Sequence, residues 1–394
     1  MKELGVNTIR VYHVDPSADH DGCMKAFGDA GIYILADLDT FDTYILPAIM
    51  DAFHQYANIL GFFIGNENIA KKEDSPVAPY LKAAVRDMKA YRDQKGYRHF
   101  PIGYSSADIL ELRPMLEYYL TCGSNSSEIV DFFGLNSYSW CDPSTYEASS
   151  YNQLEKDAVN FRVPIFLTET GCNVPGPRKF DDQDAIFGDK MNRDWSGAII
   201  YEWIQETNDY GLITYGPKSD ADSPDVEDGY LRKGTPTPKN PDFDNLKSKW
   251  SGLNPTGVKK ADYDPSKVTT PACPTSTKGG WWEVDGDVPL PSLQGGVPET
   301  TRLSGSGRSK PTTTVTSTEK VASTAVVPMT ETLAAASTAA GSATTPATAT
   351  SNPDHTGSGA QRDNEVNSAS GSSGGGAALG VGLTAALATL IFML

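Results

Sequence analysis

The sequence contains few basic residues and very few histidines. Against 50 Asp and Glu, the 394 residues include only 33 Lys and Arg and five His, so the formal net charge is −17. Nucleic acid and anionic membrane surfaces are disfavoured as partners because like charges repel, whereas a neutral ligand is compatible. His13 and Asp15 lie close together, but no Cys/His or His/Glu spacing of the metal-ligand type occurs. We expect no metal site and no cofactor.

The C-terminal part of the chain lacks the residues that build a core. Beyond about position 285 there is no cysteine and almost no aromatic residue, and Ser, Thr, Pro, Gly and Ala predominate. Such a segment cannot bury enough apolar surface to offset the entropy lost on ordering. We therefore expect one folded unit over 1–270, near the size of a (β/α)8 barrel, and a C-terminal extension over 271–303 packed on or near it. We expect a disordered, O-glycosylated Ser/Thr-rich stalk over 304–376.

The chain also lacks a long apolar run, except at its C-terminal end. Residues 377–394 are uncharged and apolar, but a spanning helix needs about 20 such residues, so the run is marginal for one. Three small residues, Asn367-Ser368-Ala369, precede it, with a Ser/Gly spacer between. This order is typical of a glycosylphosphatidylinositol (GPI) attachment signal. We expect attachment at Asn367, with Ser368 and Ser370 as alternatives, and a tail-anchored helix as the competing interpretation.

The first residues of the sequence do not have the pattern of a secretion signal. Met1-Lys2-Glu3-Leu4-Gly5 leads into an apolar run without the charged-then-apolar pattern of a signal peptide. A lipid-anchored protein must enter the secretory pathway, so we expect the true N-terminus to lie upstream of Met1. The sequon Asn125-Ser126-Ser127 predicts N-glycosylation at Asn125, in a loop before a strand.

The cysteine count is odd. Two bridges leave Cys23 without a partner if they join the other four cysteines, Cys122, Cys141, Cys172 and Cys273. Buried free thiols in a cytosolic protein are the alternative interpretation. The stalk and the attachment signal favour an oxidising compartment, where disulfides persist.

Short apolar runs recur along the first 201 residues, with starts about 26 to 41 residues apart. This interval accommodates a strand, a helix and two loops. An apolar stripe from Val77 to Tyr91, with charges on the other face, predicts one of the helices. Seven such repeats predict an α/β fold, a (β/α)8 TIM barrel lacking its first strand. A doubly wound sheet is the alternative, but no glycine-rich phosphate turn follows the first run. The runs are Asn7–Tyr12, Tyr33–Leu38, Leu60–Gly65, Pro101–Tyr104, Phe132–Asn136, Ile165–Thr168 and Ala198–Tyr201.

Two glutamates follow predicted strands at the end of a barrel where catalytic groups lie. Glu67 follows the third run and Glu169 the sixth, 102 residues apart. Breaking a glycosidic bond requires one protonated carboxyl group, to assist the leaving oxygen, and one ionised carboxylate, to attack the sugar. A single strand-end Glu is usually just solvated, but a pair on strands that meet only in a barrel predicts a carbohydrate-active enzyme. Asn66, beside Glu67, is placed to donate a hydrogen bond to a sugar hydroxyl.

Other strand ends supply further candidates, and several of them are aromatic. Tyrosines can stack on sugar faces and orient a nucleophile, although about half of these residues are expected to be plain core residues. Tyr138 and Tyr201 flank Glu169 in strand order and are the stronger candidates. The complete set is Tyr12, Asp37, Tyr104, Tyr138 and Tyr201.

Five stretches resemble glycoside hydrolase family 72, the lipid-anchored fungal β-1,3-glucanosyltransferases. The resemblance extends from about Met1 to Trp282. The stretches are LGFFIGNE at Leu60–Glu67, FGLNSYSWC at Phe133–Cys141, TETGCN at Thr168–Asn173, NTIRVY at Asn7–Tyr12 and WSGAIIYE at Trp195–Glu202.

The resemblance implies residue roles and bridges. Glu67 would be the acid/base and Glu169 the nucleophile, with sugar-binding roles for Tyr12, Asp37, Asn66, Tyr138 and Tyr201. It implies bridges Cys141–Cys172 and Cys122–Cys273, and a partner for Cys23 upstream of Met1. Three departures stand out: the family's signal peptide and first barrel strand are absent, the loop Asp39–Thr43 is short, and no cysteine-rich glucan-binding module follows the barrel.

The activity implied is cleavage of a β-1,3-glucan and transfer of the new end to another glucan chain with retention of configuration. A monomer at the cell surface, held in the plasma membrane by a GPI anchor, is the matching expectation. An endo-β-1,3-glucanase with the same two glutamates is one alternative. A catalytically inactive wall protein with a vestigial barrel is the other.

Overall fold

The computed structural model of the chain describes residues 1–38, 45–219, 222–261, 263–264, 267–268 and 270–292. Its centre is a seven-stranded parallel sheet in which every strand pairs with its neighbour in chain order. This arrangement confirms the seven predicted strands and the barrel architecture, since a doubly wound sheet would change direction along its strand order. The strands are β1 (Thr8–Val11), β2 (Tyr33–Asp37), β3 (Ile59–Asn66), β4 (Ile102–Ala107), β5 (Phe132–Asn136), β6 (Ile165–Thr170) and β7 (Trp195–Ile200).

Helices connect successive strands, as crossovers between parallel strands require. After β7 two short antiparallel ribbons pair Ile213–Thr214 with Thr237–Pro238 and Val226–Glu227 with Tyr230–Leu231. The helices are α1 (Asp21–Asp29), α2 (Ile45–Phe53), α3 (Ala78–Gln94), α4 (Arg113–Thr121), α5 (Tyr151–Ala158), α6 (Asp182–Ile186) and α7 (Asp242–Ser251).

One face of the sheet is covered by a layer of large aromatic side chains that leaves no room for further side chains. Phe63, Phe132 and Phe166 pack ring against ring with centroids 5.0 to 6.4 Å apart. A β-carbon on Gly103 would lie 2.2 Å from the Phe132 ring, so only glycine fits in that position. This apolar layer lies beneath Tyr12 and Tyr201, which pack against it.

Helix α3 confirms most of the predicted apolar stripe, although Val77 precedes the helix and is 36% exposed, and it corrects the expectation for the charged face. Leu81, Val85 and Tyr91 are buried as expected. Lys82 and Lys89, predicted to face solvent, are buried as well, because their ammonium groups donate to the carbonyls of Tyr119 and Ile129 at 2.9 and 2.6 Å. Their alkyl stems complete the packing of α3, while the charged ends bind carbonyl groups of α4 and of the segment before β5.

Helix α7 was not predicted, because the segment from Gly234 to Val268 is polar and rich in proline. Phe243, Leu246 and Trp250 are buried at helical spacing, a signal that three apolar residues in a polar stretch gave only weakly. The Trp250 indole donates to Gln183 Oε1 at 2.9 Å, which fixes α7 to α6.

Both bridges implied by the resemblance are present. Cys141–Cys172 and Cys122–Cys273 have Cα atoms 5.1 and 5.0 Å apart, and Cys23 is an exposed free thiol on α1. Cys122–Cys273 ties the extension after residue 270 to the C-terminal end of α4. Nearby, Trp282 is buried against Tyr119, with ring centroids 5.5 Å apart.

Several expectations fall on parts of the chain outside the described residues. These are the loop Asp39–Thr43, the stalk over 304–376, the apolar tail over 377–394 and the attachment residue Asn367. In the part that the structure describes, no helix combines the length and apolarity needed to cross a membrane. The domain boundaries stay predictions.

We predict that Trp282→Ala lowers the free energy of unfolding of the full chain by about 3 to 5 kcal/mol, because it removes a large buried side chain. The neighbouring Trp281 is 40% exposed and provides the matched control: Trp281→Ala should change stability by no more than about 0.5 kcal/mol. Urea denaturation followed by far-UV circular dichroism measures both. Equal effects of the two substitutions would contradict the packing described here.

Candidate active site

The polar side chains of the sequence analysis meet at the carboxyl end of the parallel sheet. Asp37, Asn66 and Asn136 are the last residues of β2, β3 and β5, and Glu169 is the penultimate residue of β6. Tyr12, Glu67 and Tyr201 follow β1, β3 and β7 directly, and Tyr138 follows β5 by two residues. Parallel strands bring all these ends to one face, so residues scattered over 190 positions of sequence form one site.

Glu169 is buried and hydrogen-bonded on both carboxylate oxygens. Tyr12 donates its hydroxyl to Oε1 at 2.6 Å, and Tyr138 donates to Oε2 at 2.8 Å. Arg10 Nη1 also lies 3.4 Å from Oε1. The carboxylate is therefore held in one orientation by three donors from the β1 and β5 ends.

Arg10 is the centre of the network and is itself completely buried. Its Nε and Nη2 donate to the two oxygens of Asp37 at 2.9 and 2.6 Å. Nη1 donates to Ser105 Oγ at 3.0 Å and Nη2 to Asn66 Oδ1 at 2.9 Å. The flat faces of the guanidinium lie 4.4 Å from the ring centroids of Tyr12 and Phe63. All five donors of a buried arginine require partners, and here strands β2, β3, β4 and β6 supply them.

Asn136 connects the Glu169 side of the site to Glu67. Its amide nitrogen donates to Glu67 Oε1 at 2.8 Å and to Asn66 Oδ1 at 3.0 Å. Its oxygen accepts from Ser105 Oγ and Thr168 Oγ1 at 2.9 and 2.8 Å. The Asn136 amide cannot rotate without losing these partners, so its hydrogen bond holds Oε1 of Glu67 in a fixed position.

The two glutamates have different surroundings. Glu67 is exposed and adopts a left-handed backbone conformation with φ 50°, whereas Glu169 is 8% exposed. Burial raises the pKa of Glu169 to about 7, Arg10 lowers it, Glu67 raises it, and the Tyr12 and Tyr138 hydroxyls lower it. The tyrosines stay protonated, because burial and the neighbouring Glu169 raise their pKa well above the usual value. Charged and neutral donors thus offset part of the loss of water around Glu169, and the effect of burial on its pKa still predominates.

Four tyrosine rings line one side of the site. Tyr201 lies edge-on to Tyr12, Tyr138 and Tyr210, with ring centroids 6.4, 6.3 and 5.2 Å away. Tyr138 and Tyr210 are in turn 5.6 Å apart. Edge-to-face contacts of this kind stabilise one arrangement of the rings. We call Tyr12, Tyr138, Tyr201 and Tyr210 the aromatic wall.

The structure brings most of the predicted residues together and separates one. Tyr104 is fully buried against Phe133 in the layer between sheet and helices, so it is a core residue, as was expected for some of the tyrosines. Asp37 has both oxygens bonded to Arg10. His13 and Asp15 belong to no metal cluster, and no group of three or more potential ligands occurs in the described ranges.

Sequence reasoning missed four residues of the site: Arg10, Ser105, Asn136 and Tyr210. Arg10 and Asn136 stand inside the quoted stretches, and each is a polar residue in an otherwise apolar strand. That pattern is the signal that could have identified them, because a polar side chain is stable in a buried position only when it has hydrogen-bond partners there. Tyr210 lies in a loop, and no sequence pattern marks it.

A family model described as glucanosyltransferase, glycoside hydrolase family 72, matches residues 1–231. The chain belongs to this family. It is 39% identical over 291 residues to a 1,3-beta-glucanosyltransferase of Arthroderma benhamiae, which covers 70% of this chain and 50% of the relative. It is also 39% identical over 294 residues to 1,3-beta-glucanosyltransferase gel1 of Aspergillus fumigatus, covering 70% of this chain and 64% of that protein.

Solved structures of the family share the fold. Saccharomyces cerevisiae Gas2p in complex with laminaripentaose aligns with a TM-score of 0.64 and 33% sequence identity, over 74% of this chain and 64% of that one. The chain spans about half to two thirds of the length of these glucanosyltransferases. The site described above lies entirely within the residues that the family model matches.

We predict that Tyr138→Phe raises the pKa of Glu169 by about one pH unit, since a hydrogen bond to a charged group is worth about 1.5 kcal/mol and donation to the carboxylate favours the ionised form. Nuclear magnetic resonance titration of the carboxyl carbon, assigned with Glu169→Gln, measures the shift. Tyr201→Phe is the matched control: it removes a hydroxyl from the same aromatic wall, one that donates no hydrogen bond to Glu169, and should leave the pKa in place. A fall of the Glu169 pKa in Tyr138→Phe would be incompatible with this network.

Proposed function

We propose that the protein is a retaining β-1,3-glucanosyltransferase in which Glu169 is the nucleophile and Glu67 the acid/base. The observation that carries the proposal is the asymmetry of the two glutamates on one sheet face. Glu169 is buried and fixed by Arg10, Tyr12 and Tyr138, and Glu67 is exposed and bonded through one oxygen. A nucleophile must keep one orientation, whereas an acid/base exchanges its proton with the entering and leaving groups.

In the first step the Glu169 carboxylate attacks the anomeric carbon of a glucose unit, and the glycosidic C–O bond breaks. Burial raises the pKa of Glu169 to about 7, and Arg10, Tyr12 and Tyr138 keep that pKa lower than burial alone would make it, so these donors favour the ionised form that attacks. Tyr12 and Tyr138 share that task with Arg10, and they orient one lone pair of the carboxylate towards the sugar. The product is a covalent glycosyl-enzyme.

Glu67 supplies the proton that the departing oxygen takes up. Asn136 donates to its Oε1, so Oε2 is the oxygen that carries the proton. In the second step Glu67, now ionised, removes a proton from the hydroxyl of an acceptor sugar, which attacks the glycosyl-enzyme and releases Glu169. Two displacements retain the configuration, and this mechanism requires carboxyl groups about 5 to 5.5 Å apart. We expect that separation here.

The aromatic wall and Asn66 are proposed to bind the glucan. Both hydrogen bonds of Asn66 use its Oδ1, so the amide NH2 is the part that can donate to a sugar hydroxyl next to the reacting carbon. Tyrosine rings present apolar faces on which pyranose rings stack. The substrate class is supported by relatives named 1,3-beta-glucanosyltransferase and by Gas2p, a relative solved with laminaripentaose. Asp37 is proposed to contribute to sugar binding indirectly, because both of its carboxylate oxygens accept hydrogen bonds from Arg10.

The cellular setting is part of the proposal. Two disulfides support an oxidising compartment. The small triplet at Asn367 and the apolar tail support a GPI anchor in the plasma membrane, facing the cell wall. We propose a monomer there, and Asn125 is exposed for N-glycosylation. An endo-β-1,3-glucanase would use the same two glutamates, and product length distinguishes the two: only a transferase makes chains longer than its substrate.

We predict that the protein lengthens laminari-oligosaccharides and that Glu67→Gln and Glu169→Gln each abolish this. Glutamine keeps the size of glutamate but can neither donate the proton nor attack as an anion. On a donor with an activated leaving group, which needs little acid assistance, Glu67→Gln should still form the glycosyl-enzyme and accumulate it. Glu169→Gln should form none. Mass spectrometry of the quenched protein measures the adduct.

The control is Glu73→Gln, an acidic residue in the 3-10 turn at Lys72–Val77 that follows the Glu67 loop. It should lengthen oligosaccharides like the parent protein. A sugar adduct on a carboxylate other than Glu169, or full transfer by either catalytic variant, would refute the assignment. Shorter products alone would establish the glucanase alternative.

A further inference from the structure

We propose that Arg178, held by Asp242 of helix α7, is a positioning residue that fixes the Tyr201–Tyr210 part of the aromatic wall. The proposal rests on the function proposed above, because it concerns how that site binds its glucan. Asp242 lies beyond the residues that the family model matches, so the inference ties a helix outside that match to the site.

The guanidinium of Arg178 joins two chain segments that carry wall residues. Nη1 donates to the carbonyl of Tyr201 at 2.9 Å, and Nη2 donates to the carbonyl of Tyr210 at 2.6 Å. Arg178 is 1% exposed, so both carbonyls accept from a buried donor. Its planar fork sets the spacing of the two carbonyls, and with it the spacing of the two rings, whose centroids are 5.2 Å apart.

The other side of Arg178 is fixed by α7. Asp242 accepts from Arg178 Nε at 2.8 Å through one oxygen and from the Arg178 backbone nitrogen at 3.2 Å through the other. Asn245, one turn later, donates to the Arg178 carbonyl at 2.7 Å. The helix is in turn anchored to α6 by buried Trp250. Arg178 is therefore clamped at its backbone and at its side chain by one rigid element.

The clamp lies against the strand that carries Glu169. A β-carbon on Gly171, two residues beyond Glu169, would lie 3.4 Å from the Tyr201 carbonyl oxygen and 3.6 Å from Arg178 Nη1. Gly171 has φ 113°, a conformation that glycine adopts readily. The Arg178 guanidinium and the Tyr201 backbone therefore both lie next to the end of β6.

Arg178 touches neither glutamate, so its loss should act on the wall and not on the chemistry. Tyr201 and Tyr210 both pack on Tyr138, but Tyr138 holds Glu169 through its own hydroxyl. Displacement of the wall should weaken glucan binding, and the pKa of Glu169 should stay where it is. Weaker glucan binding with an unchanged Glu169 pKa distinguishes a positioning role from a general loss of structure, which would change both.

The test compares Arg178→Lys and Asp242→Asn with the parent protein on laminaripentaose. A lysine ammonium cannot bridge two carbonyls and a carboxylate in one plane, and an asparagine in place of Asp242 loses the charge that orients the fork. We expect KM to rise about tenfold in both variants, because small displacements of binding groups have large kinetic costs. We expect kcat to change by less than about twofold. Asp242→Glu, which restores the carboxylate, should recover part of the affinity.

The matched control is Lys249→Ala on the same helix. Lys249 pairs with Asp181 and Asp184 at 2.9 and 2.6 Å, so its removal also loosens α7 from the α6 region but touches neither wall carbonyl. It should leave KM unchanged. Asp242→Asn serves as the decisive variant if Arg178→Lys does not fold, since it leaves the arginine in place and removes only the charge and one of the two acceptor oxygens.

The outcomes separate the two proposals. If the parent protein processes laminaripentaose and Asp242→Asn has the same KM, the positioning role is overturned and the proposed function stands. An equal rise of KM in Lys249→Ala, or a shifted Glu169 pKa in Asp242→Asn, also overturns the positioning role. A parent protein that neither binds nor processes laminari-oligosaccharides overturns both proposals.

Discussion

A fully buried arginine, Arg10, at the centre of a hydrogen-bond network sets the arrangement of the site. Burial alone would lower the pKa of Arg10, but Asp37 and Glu169 raise it, so the guanidinium stays charged. A charge in that position is tolerated only while its hydrogen bonds are complete. The residues that complete them come from four other strands, so the strands must keep the register that presents Asp37, Ser105 and Asn66 together. The barrel and the site thus stabilise each other.

The same constraint explains why the two glutamates differ. Glu169 lies where Arg10, Tyr12 and Tyr138 converge, and it takes its fixed orientation from them. Glu67 stands at the rim and is connected to the network through Asn136. Glu67 is therefore accessible to water, whereas Glu169 is nearly inaccessible. The division of labour proposed above, with Glu169 as nucleophile and Glu67 as proton carrier, rests on this difference in hydrogen bonding: three donors hold Glu169 and one donor holds Glu67.

Support for the aromatic side of the site comes from further away. Helix α7 and the extension after residue 270 both pack on the barrel, through Trp250 and through Trp282 with the Cys122–Cys273 bridge. Of the two, α7 is the one that reaches the wall, by way of Asp242 and Arg178. The extension instead braces α4. Outer elements of the fold therefore contribute unequally to the site, depending on whether a chain of hydrogen bonds connects them to it.

The sequence by itself determined the seven strands, the positions of Glu67 and Glu169 at strand ends and the family, because apolar periodicity and contiguous motifs are local properties. It did not determine α7, whose apolar stripe is short, or the burial of Lys82 and Lys89, whose partners lie on other segments. Only the tertiary structure decided which polar residues meet. Arg10 and Asn136 are single polar residues in apolar strands, and their partners come within hydrogen-bond distance only when the neighbouring strands assemble into the sheet. Tyr210 belongs to a loop whose carbonyl accepts from Arg178, and a contact between residues 32 positions apart in sequence leaves no local pattern.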